Sequence, residues 1–221
     1  MIWEIIKVKL FCQYCPYGFS NCYILGTEET DTPDGEHNDG GRNDAVIIDP
    51  GSMDMQILDF LENNNFNLTG VLITHDHLNH VHGLRTLLRI YNPVIYAVNR
   101  TILEHETHPV KDGDIIGIGR IRAEVISIPG HSSDSAVYQI NNLLFTGDVL
   151  SAGLVGETAS AYGAALQVNN LRTRILSLPG NYAVLPGHGP PSSLEAERRF
   201  NAGIAEADIT GSRRPKFRVE L

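Results

Sequence analysis

Apolar and polar residues alternate from Ile2 to Leu10, which predicts a first strand. The segment FCQYCPYGFSNC then turns, and Asn21 to Leu25 reads as a second strand. Ala45 to Asp49 is a short apolar run closed by Pro50-Gly51, a third strand. Ser52 is placed to cap a helix starting at Met53, with Met53, Ile57, Leu58 and Leu61 on one face, ending in Asn63-Asn64-Asn65. Val71 to Thr74 is the next strand. Leu84, Leu87, Leu88 and Tyr91 then recur at helical spacing, in a helix that begins at His80 or His82. Val94 to Val98 reads as a strand, Asn99 to Glu106 as a short helix at best, and Asp112-Gly113-Asp114 as a turn. Ala123 to Ile128, Ala136 to Ile140 and Leu143 to Thr146 read as strands, the last two joined by the turn dipeptide Asn141-Asn142. Val168, Leu171, Ile175 and Leu178 mark an amphipathic helix, and Ala183 to Leu185 a last strand. Ser192 with Glu195 forms a capping box for a final helix through Ala205.

Two strand-rich blocks, each followed by helices, thus cover the chain without a linker. The expectation is one α/β (α+β) domain over residues 1–221: two sheets face to face with helices outside, in two similar halves dividing near residue 115. One stretch stands apart. Residues 26–44 set Glu28, Glu29, Asp31, Asp34, Glu36, Asp39 and Asp44 against a single base, Arg42, and read as a solvated acidic loop insertion. The end of the chain, with Arg213, Arg214, Lys216 and Arg218, reads as a solvated basic tail.

Composition narrows the partners. With 221 residues, 42% hydrophobic and 19% charged, the chain can bury a sizeable core. A formal charge of −9 disfavours nucleic acid, whose binding domains are usually basic. No apolar run reaches the roughly eighteen residues a membrane helix needs, so no membrane partner is expected. Glu4, Lys7 and Lys9 break the N-terminal apolar run, which reads as a strand and not as a secretory segment. Three cysteines are too few for a disulfide framework, and a reducing, cytoplasmic setting follows. Cys12-x-x-Cys15 with Cys22 cannot make a four-cysteine zinc site, so these read as incidental thiols.

The chemistry concentrates in VLITHDHLNHVHGL, residues 71–84. His75, His77, His80 and His82, four of the chain's nine histidines, fall within eight residues at the end of a strand. Histidine nitrogen with carboxylate oxygen suits a borderline divalent ion: zinc first, with iron or manganese as alternatives. On an extended segment His75 and His77 share a face and can reach one ion, while His80 points elsewhere. That spacing favours two adjacent ions over one crowded ion. His131 in SIPGHSSDS, Asp148 after LLFTG and His188 in LPGHGPP repeat one form: apolar strand, glycine turn, ligand. His82, His105 and His108 are not expected as ligands, though His82 lies close enough to support one that is.

These residues resemble the metallo-β-lactamase-fold hydrolases over nearly the whole chain. THDHLNH is close to the family signature HxHxDH, and IIDPG, PGHSSDS, LFTGD and LPGHGPP match the family's other motifs in the right order. The resemblance implies a four-layered αββα sandwich with two mixed β-sheets and metals at one edge between them. It implies one ion on His75, His77 and His131, a second on His80 and His188, and Asp148 bridging both. Asp49 would orient ligands from behind. Where the family has Asp, this chain has Asn79, a weaker, neutral ligand, so the second ion would be held less well.

Among relatives, the glyoxalase II-like (hydroxyacylglutathione hydrolase) group is most similar. LFTGD, LPGHGPP and the pattern Ser192, Glu195, Arg198 and Asn201 carry that likeness. It implies a hydrolase whose metal-activated hydroxide attacks a thioester or related acyl compound, a small-molecule substrate. Two departures separate the chain from a glutathione substrate. The group carries a C-terminal helical domain that grips glutathione, whereas this chain ends soon after its last expected helix. The group's arginine after TGD is replaced by Glu157. Tyr162 is a candidate to line the substrate pocket. Two other readings stand beside the hydrolase. One is a mononuclear iron dioxygenase of the persulfide-oxidising type, which would use only His75, His131 and Asp148. The other is a non-catalytic metal-binding module. A homo-oligomer is compatible with all three.

Overall fold

The computed structural model describes residues 8–27 and 43–206. The acidic segment 28–42 and the basic tail from 207 onward lie outside the described residues. In chain order the elements begin with strands β1 (Val8–Cys15), β2 (Ser20–Thr27) and β3 (Asn43–Ile48), helix α1 (Met55–Asn63) and strand β4 (Phe66–Leu72). Short helices α2 (Leu78–Val81) and α3 (Leu84–Leu87) follow, then β5 (Val94–Ala97), β6 (Thr101–Ile102), β7 (His105–Glu106) and β8 (His108–Pro109). The rest comprises β9 (Ile115–Ile118), β10 (Ile121–Ser127), β11 (Ala136–Ile140), β12 (Leu143–Gly147), β13 (Leu150–Ser151), β14 (Leu154–Val155), α4 (Ala161–Asn170), a π-helical turn (Leu171–Ile175), β15 (Ala183–Pro186), β16 (Ser192–Ser193), α5 (Leu194–Phe200) and α6 (Ala202–Glu206).

Two six-stranded sheets result, in the orders β1-β2-β3-β4-β5-β8 and β16-β15-β12-β11-β10-β9. Both are mixed: β3, β4, β5 and β8 run parallel in the first, and β12 pairs parallel with β15 in the second. Alternation within the strands sorts side chains into layers. Between the sheets, Tyr23, Leu25, Val46, Ile48 and Leu72 pack against Val125, Tyr138, Ile140, Phe145 and Leu185. Ile24, Ala45, Ile47 and Val71 point the other way, onto Ile57 and Leu61 of α1 and Val81, Leu84 and Leu87 of the next helices. Behind the second sheet, Val137, Leu144 and Val184 pack on Leu171, Ile175 and Leu194. The order helix, sheet, sheet, helix is the expected αββα sandwich.

Several local expectations need correction. The first strand continues through Cys15, so the turn is confined to residues 16–19. Helix α1 is capped by Asp54, not Ser52: Asp54 Oδ1 accepts from Gln56 N (3.1 Å) and Ile57 N (3.2 Å). The Ser52 hydroxyl is engaged instead with Cys15 Sγ at 3.2 Å. The stretch 99–106 is not helical but contains the ribbon β6–β7, and residues 78–91 hold two short helices rather than one. Helix α5 is capped by Ser193, whose Oγ accepts from Ala196 N (3.2 Å), and it breaks at Asn201, which has extended backbone. Asn201 is held there because its Nδ2 donates to Leu154 O at 3.0 Å and to Glu197 Oε2 at 2.6 Å. Among the described residues no helix is long and apolar enough to cross a membrane.

At one edge the sheets are stitched together by polar contacts. Asn21 N donates to Gly187 O (2.7 Å), Tyr23 Oη to Pro186 O (2.7 Å) and Ala136 N to Thr74 O (2.9 Å). Asp76 N donates to Asp134 Oδ2 at 3.0 Å. The loops after β4, β10, β12 and β15 meet at this edge.

Candidate metal centre

Those four loops, with helix α2 continuing the first, carry His75, His77, His80, His131, Asp148 and His188, and the fold brings these six together. His75, His77, His131 and Asp148 offer ligand atoms lying within 4.8 Å of one another, as do His80, Asp148 and His188. Asp148 is common to both sets. Its Oδ2 lies 3.8 Å from His75 Nε2, 3.6 Å from His131 Nε2 and 3.4 Å from His188 Nε2, and its Oδ1 lies 3.3 Å from His80 Nε2. His77 presents Nδ1, 3.1 Å from His131 Nε2.

Each of the other four imidazoles is held by its far nitrogen. His80 Nδ1 meets Asp49 Oδ2 at 3.0 Å, His131 Nδ1 the carbonyl of Glu157 at 2.7 Å, and His188 Nδ1 the carbonyl of Phe19 at 2.9 Å. His75 Nδ1 meets Thr74 Oγ1 at 3.0 Å, and that hydroxyl donates to Asp49 Oδ2 at 2.6 Å, so it accepts from the ring. Every Nδ1 is therefore a donor to an outer acceptor, and every Nε2 faces inward with its lone pair available when the ring is neutral. Asp49 organises two of the four rings and also accepts from Thr74 N at 2.8 Å. It does so from a left-handed backbone conformation, φ 51°, an arrangement that costs of order 1–3 kcal/mol and clusters at functional sites.

Three of the inward atoms make no hydrogen bond. His75 Nε2, His80 Nε2 and Asp148 Oδ1 are buried without a hydrogen bond. A buried unsatisfied polar atom costs about 1–3 kcal/mol, and three side by side need a common partner. Imidazole nitrogens around a carboxylate fit a borderline divalent cation in that role. Space is kept for it: a Cβ built on Gly187 would lie 2.3 Å from Asp148 Oδ1 and 2.6 Å from His80 Cε1.

Protonation follows from the same geometry. Burial holds His75 down to about 2, reinforced by the charge of His80. Burial also opposes charge on His80, yet the carboxylates of Asp148 and Asp49 outweigh it and push His80 up to about 10. For Asp148, burial works toward the neutral acid, but His188 and His80 hold its carboxyl well below the usual carboxylate range. Asp148 in turn raises His188, against the effect of burial.

Asn79 reaches the cluster too, with Nδ2 2.8 Å from His188 Nε2. Asp76 turns aside, its Oδ2 accepting from Asn99 Nδ2 at 2.9 Å. Tyr162 stands 78% exposed on the first turn of α4, outside the cluster. His82 is stacked on Tyr17, ring centroids 4.1 Å apart. The supporting roles of Thr74, Phe19 and the Glu157 carbonyl were not expected from the sequence. Thr74 had a signal, a hydroxyl next to His75. The other two act through backbone carbonyls, which no residue type marks.

Comparison with known proteins bears on this geometry. The profile of the Metallo-beta-lactamase superfamily matches residues 39–188. An uncharacterised protein of Mycobacterium tuberculosis is 28% identical over 215 residues, covering 82% of this chain and 91% of that protein. A hydroxyacylglutathione hydrolase of Vibrio cholerae is 34% identical over 147 residues, covering 66% of this chain, and the matched part spans 57% of that relative's length. The crystal structure of ETHE1 from Myxococcus xanthus superposes with a TM-score of 0.74 at 23% identity, covering 94% of this chain and 93% of that one.

Proposed function

The chain belongs to the metallo-β-lactamase superfamily, and on that footing we propose that it is a metal-dependent hydrolase acting on a small thioester or related acyl compound. The observation that carries the reading is the orientation of the four histidines. Each spends Nδ1 on an outer acceptor and turns Nε2 toward Asp148. His75, His77, His131 and Asp148 would hold a first divalent ion, and His80, His188 and Asp148 a second. Bound there, such an ion supplies Lewis acidity toward a carbonyl oxygen and brings the pKa of water to about 7.

The chain's own residues define how substrate meets that centre. The side chains of His75 and His80 are 1% and 0% exposed and form the floor. His131, Asp148 and His188 are 13%, 13% and 35% exposed and face the opening, so the scissile group approaches from their side. Asp148, kept ionised by His188 and His80, holds its two oxygens between the two sets. The hydroxyacylglutathione hydrolase likeness supports an acyl–sulfur substrate, and the partial coverage of that relative leaves the thiol half open. The three cysteines are free, consistent with a reducing cytoplasm. The test is thiol release from a panel of acyl thioesters by zinc-, iron- and manganese-loaded protein. Turnover is expected with at least one ion, and a panel without turnover overturns the reading.

A second reading is favoured by Asn79. Its amide engages His188 Nε2, and the second set has no anion beyond the shared Asp148. A chain that keeps only one ion, on His75, His131 and Asp148, would suit ferrous iron and persulfide oxidation. One iron per chain with oxygen uptake on glutathione persulfide would replace the hydrolase with that oxygenase.

A further inference from the structure

We infer that Gln167 is a positioning residue for the ion site, fixing the direction from which His131 and Asp148 present their ligand atoms; this rests on the metal-dependent reading above. Gln167 lies on α4, is 0% exposed, and directs its hydrogen bonds to backbone carbonyls. Its side chain is wedged beneath three turns of the second half. Nε2 donates to Val149 O at 3.3 Å and to Gly156 O at 2.9 Å. Val149 directly follows Asp148. Gly156 directly precedes Glu157, whose carbonyl holds His131 Nδ1 at 2.7 Å. The third turn is Pro129 to His131. Gly130 sits there at φ 154°, and a Cβ on it would lie 2.4 Å from Gln167 Cβ and 2.9 Å from Gln167 Oε1. The peptides that set the places of Asp148, of His131 and of the acceptor for His131 thus all bear on one amide.

A packing role does not account for this side chain. Gln167 Oε1 is buried without a hydrogen-bond partner. Leucine or methionine would fill the same space without a desolvated acceptor. What glutamine alone of these supplies is a pair of N–H donors in one plane, and both are used. Without them the Gly156 carbonyl loses its side-chain donor, and the backbone leading into Glu157 loses a restraint. The His131 ring, hinged on Glu157 O, then loses its fixed azimuth toward Asp148.

The test compares wild type with Gln167→Met, Gln167→Glu and Ser160→Ala, all stripped of metal and titrated with cobalt(II). Affinity is read by chelator competition, site geometry by the visible cobalt spectrum, and stability by unfolding of the ion-free protein. Methionine removes both donors. Glutamic acid, kept neutral by burial, retains one. Ser160→Ala weakens α4 at its cap, where Ser160 Oγ accepts from Gly163 N at 3.0 Å, without touching the three turns. The expected order of cobalt affinity is wild type, then Glu, then Met, with Met weaker by about 10–100-fold and its spectrum altered. Ser160→Ala should lower the unfolding temperature and leave affinity and spectrum in place. If the Met chain does not fold, the Glu chain carries the same comparison. Wild-type affinity and spectrum in the folded Gln167 variants would overturn the inference alone. A wild type that binds no cobalt would overturn the metal-dependent reading and this inference with it.

Discussion

Asn79 Nδ2 lies 2.8 Å from His188 Nε2, and His188 keeps Nδ1 on the Phe19 carbonyl at 2.9 Å. With Nδ1 as donor, the neutral ring offers a lone pair at Nε2, and the amide donates into it. Asn79 therefore occupies the nitrogen that a second ion needs and brings no charge in return. Replacing it, Asn79→Asp, removes the competing donor and adds an anion beside a dication. Metal content per chain, measured by elemental analysis after loading, should rise toward two. An unchanged count would show that the second set does not depend on this position.

His131 is the ligand that the second half contributes to the first ion. His131→Ala should remove that ion and cut turnover by at least about 100-fold, because losing even a partner of a ligand costs about 10–100-fold. Retained metal and rate would show the site to be elsewhere.

Gly187 borders the cluster at a distance no side chain can share. Gly187→Ala places a methyl 2.3 Å from Asp148 Oδ1 and should destabilise the chain by about 1–3 kcal/mol while weakening the ion held by His80. Gly117→Ala, with nothing within 4 Å of its Cβ, is the control and should change neither. Thermal unfolding with chelator competition reads both.

The two buried histidines predict different pH dependences. His80, raised from 6.5 to about 10, carries a proton in the ion-free protein. Its contribution to ion-free stability is fully present below pH 6.5, the unfolded value, and is lost as pH rises through about 10. An ion taking Nε2 must expel that proton, so affinity at the His80 set should rise by up to about tenfold per pH unit over this window. His75, lowered to about 2, gives up no proton to the first ion across the same window. Chelator competition from about pH 6 to about pH 9 should therefore show the second ion to be the steeper. Equal slopes would contradict the assignment of His80.

Much of this centre was legible in the sequence because its ligands are single residues directly after apolar strands. Val71 to Ile73 running into His75, and Leu143 to Gly147 into Asp148, announce both strand and site. What escaped was whatever depends on chain reversal or on backbone atoms. Ile115–Ile118 is a strand whose alternation is diluted by Gly117, and only its antiparallel pairing with Ile121–Ser127 defines it. Ser52 looked like a cap because Asp54, the better-placed acceptor, lay inside the expected helix. Gln167 directly precedes Val168, the first marked position of the expected amphipathic helix, and nothing singled it out, since its two acceptors lie 18 and 11 residues away.

The division of ligands between two sheets also orders events on the ribosome. His188 emerges 188 − 80 = 108 positions after His80, roughly 5–20 s later at about 5–20 residues per second. In the first part of that interval, before residues 131 and 148 emerge, the nascent chain displays His75, His77 and His80 without Asp148 to neutralise an ion or His131 to enclose it. The first sheet can pair its strands in that time, but the cage stays open. The complete set of ligands therefore exists only once His188 has emerged.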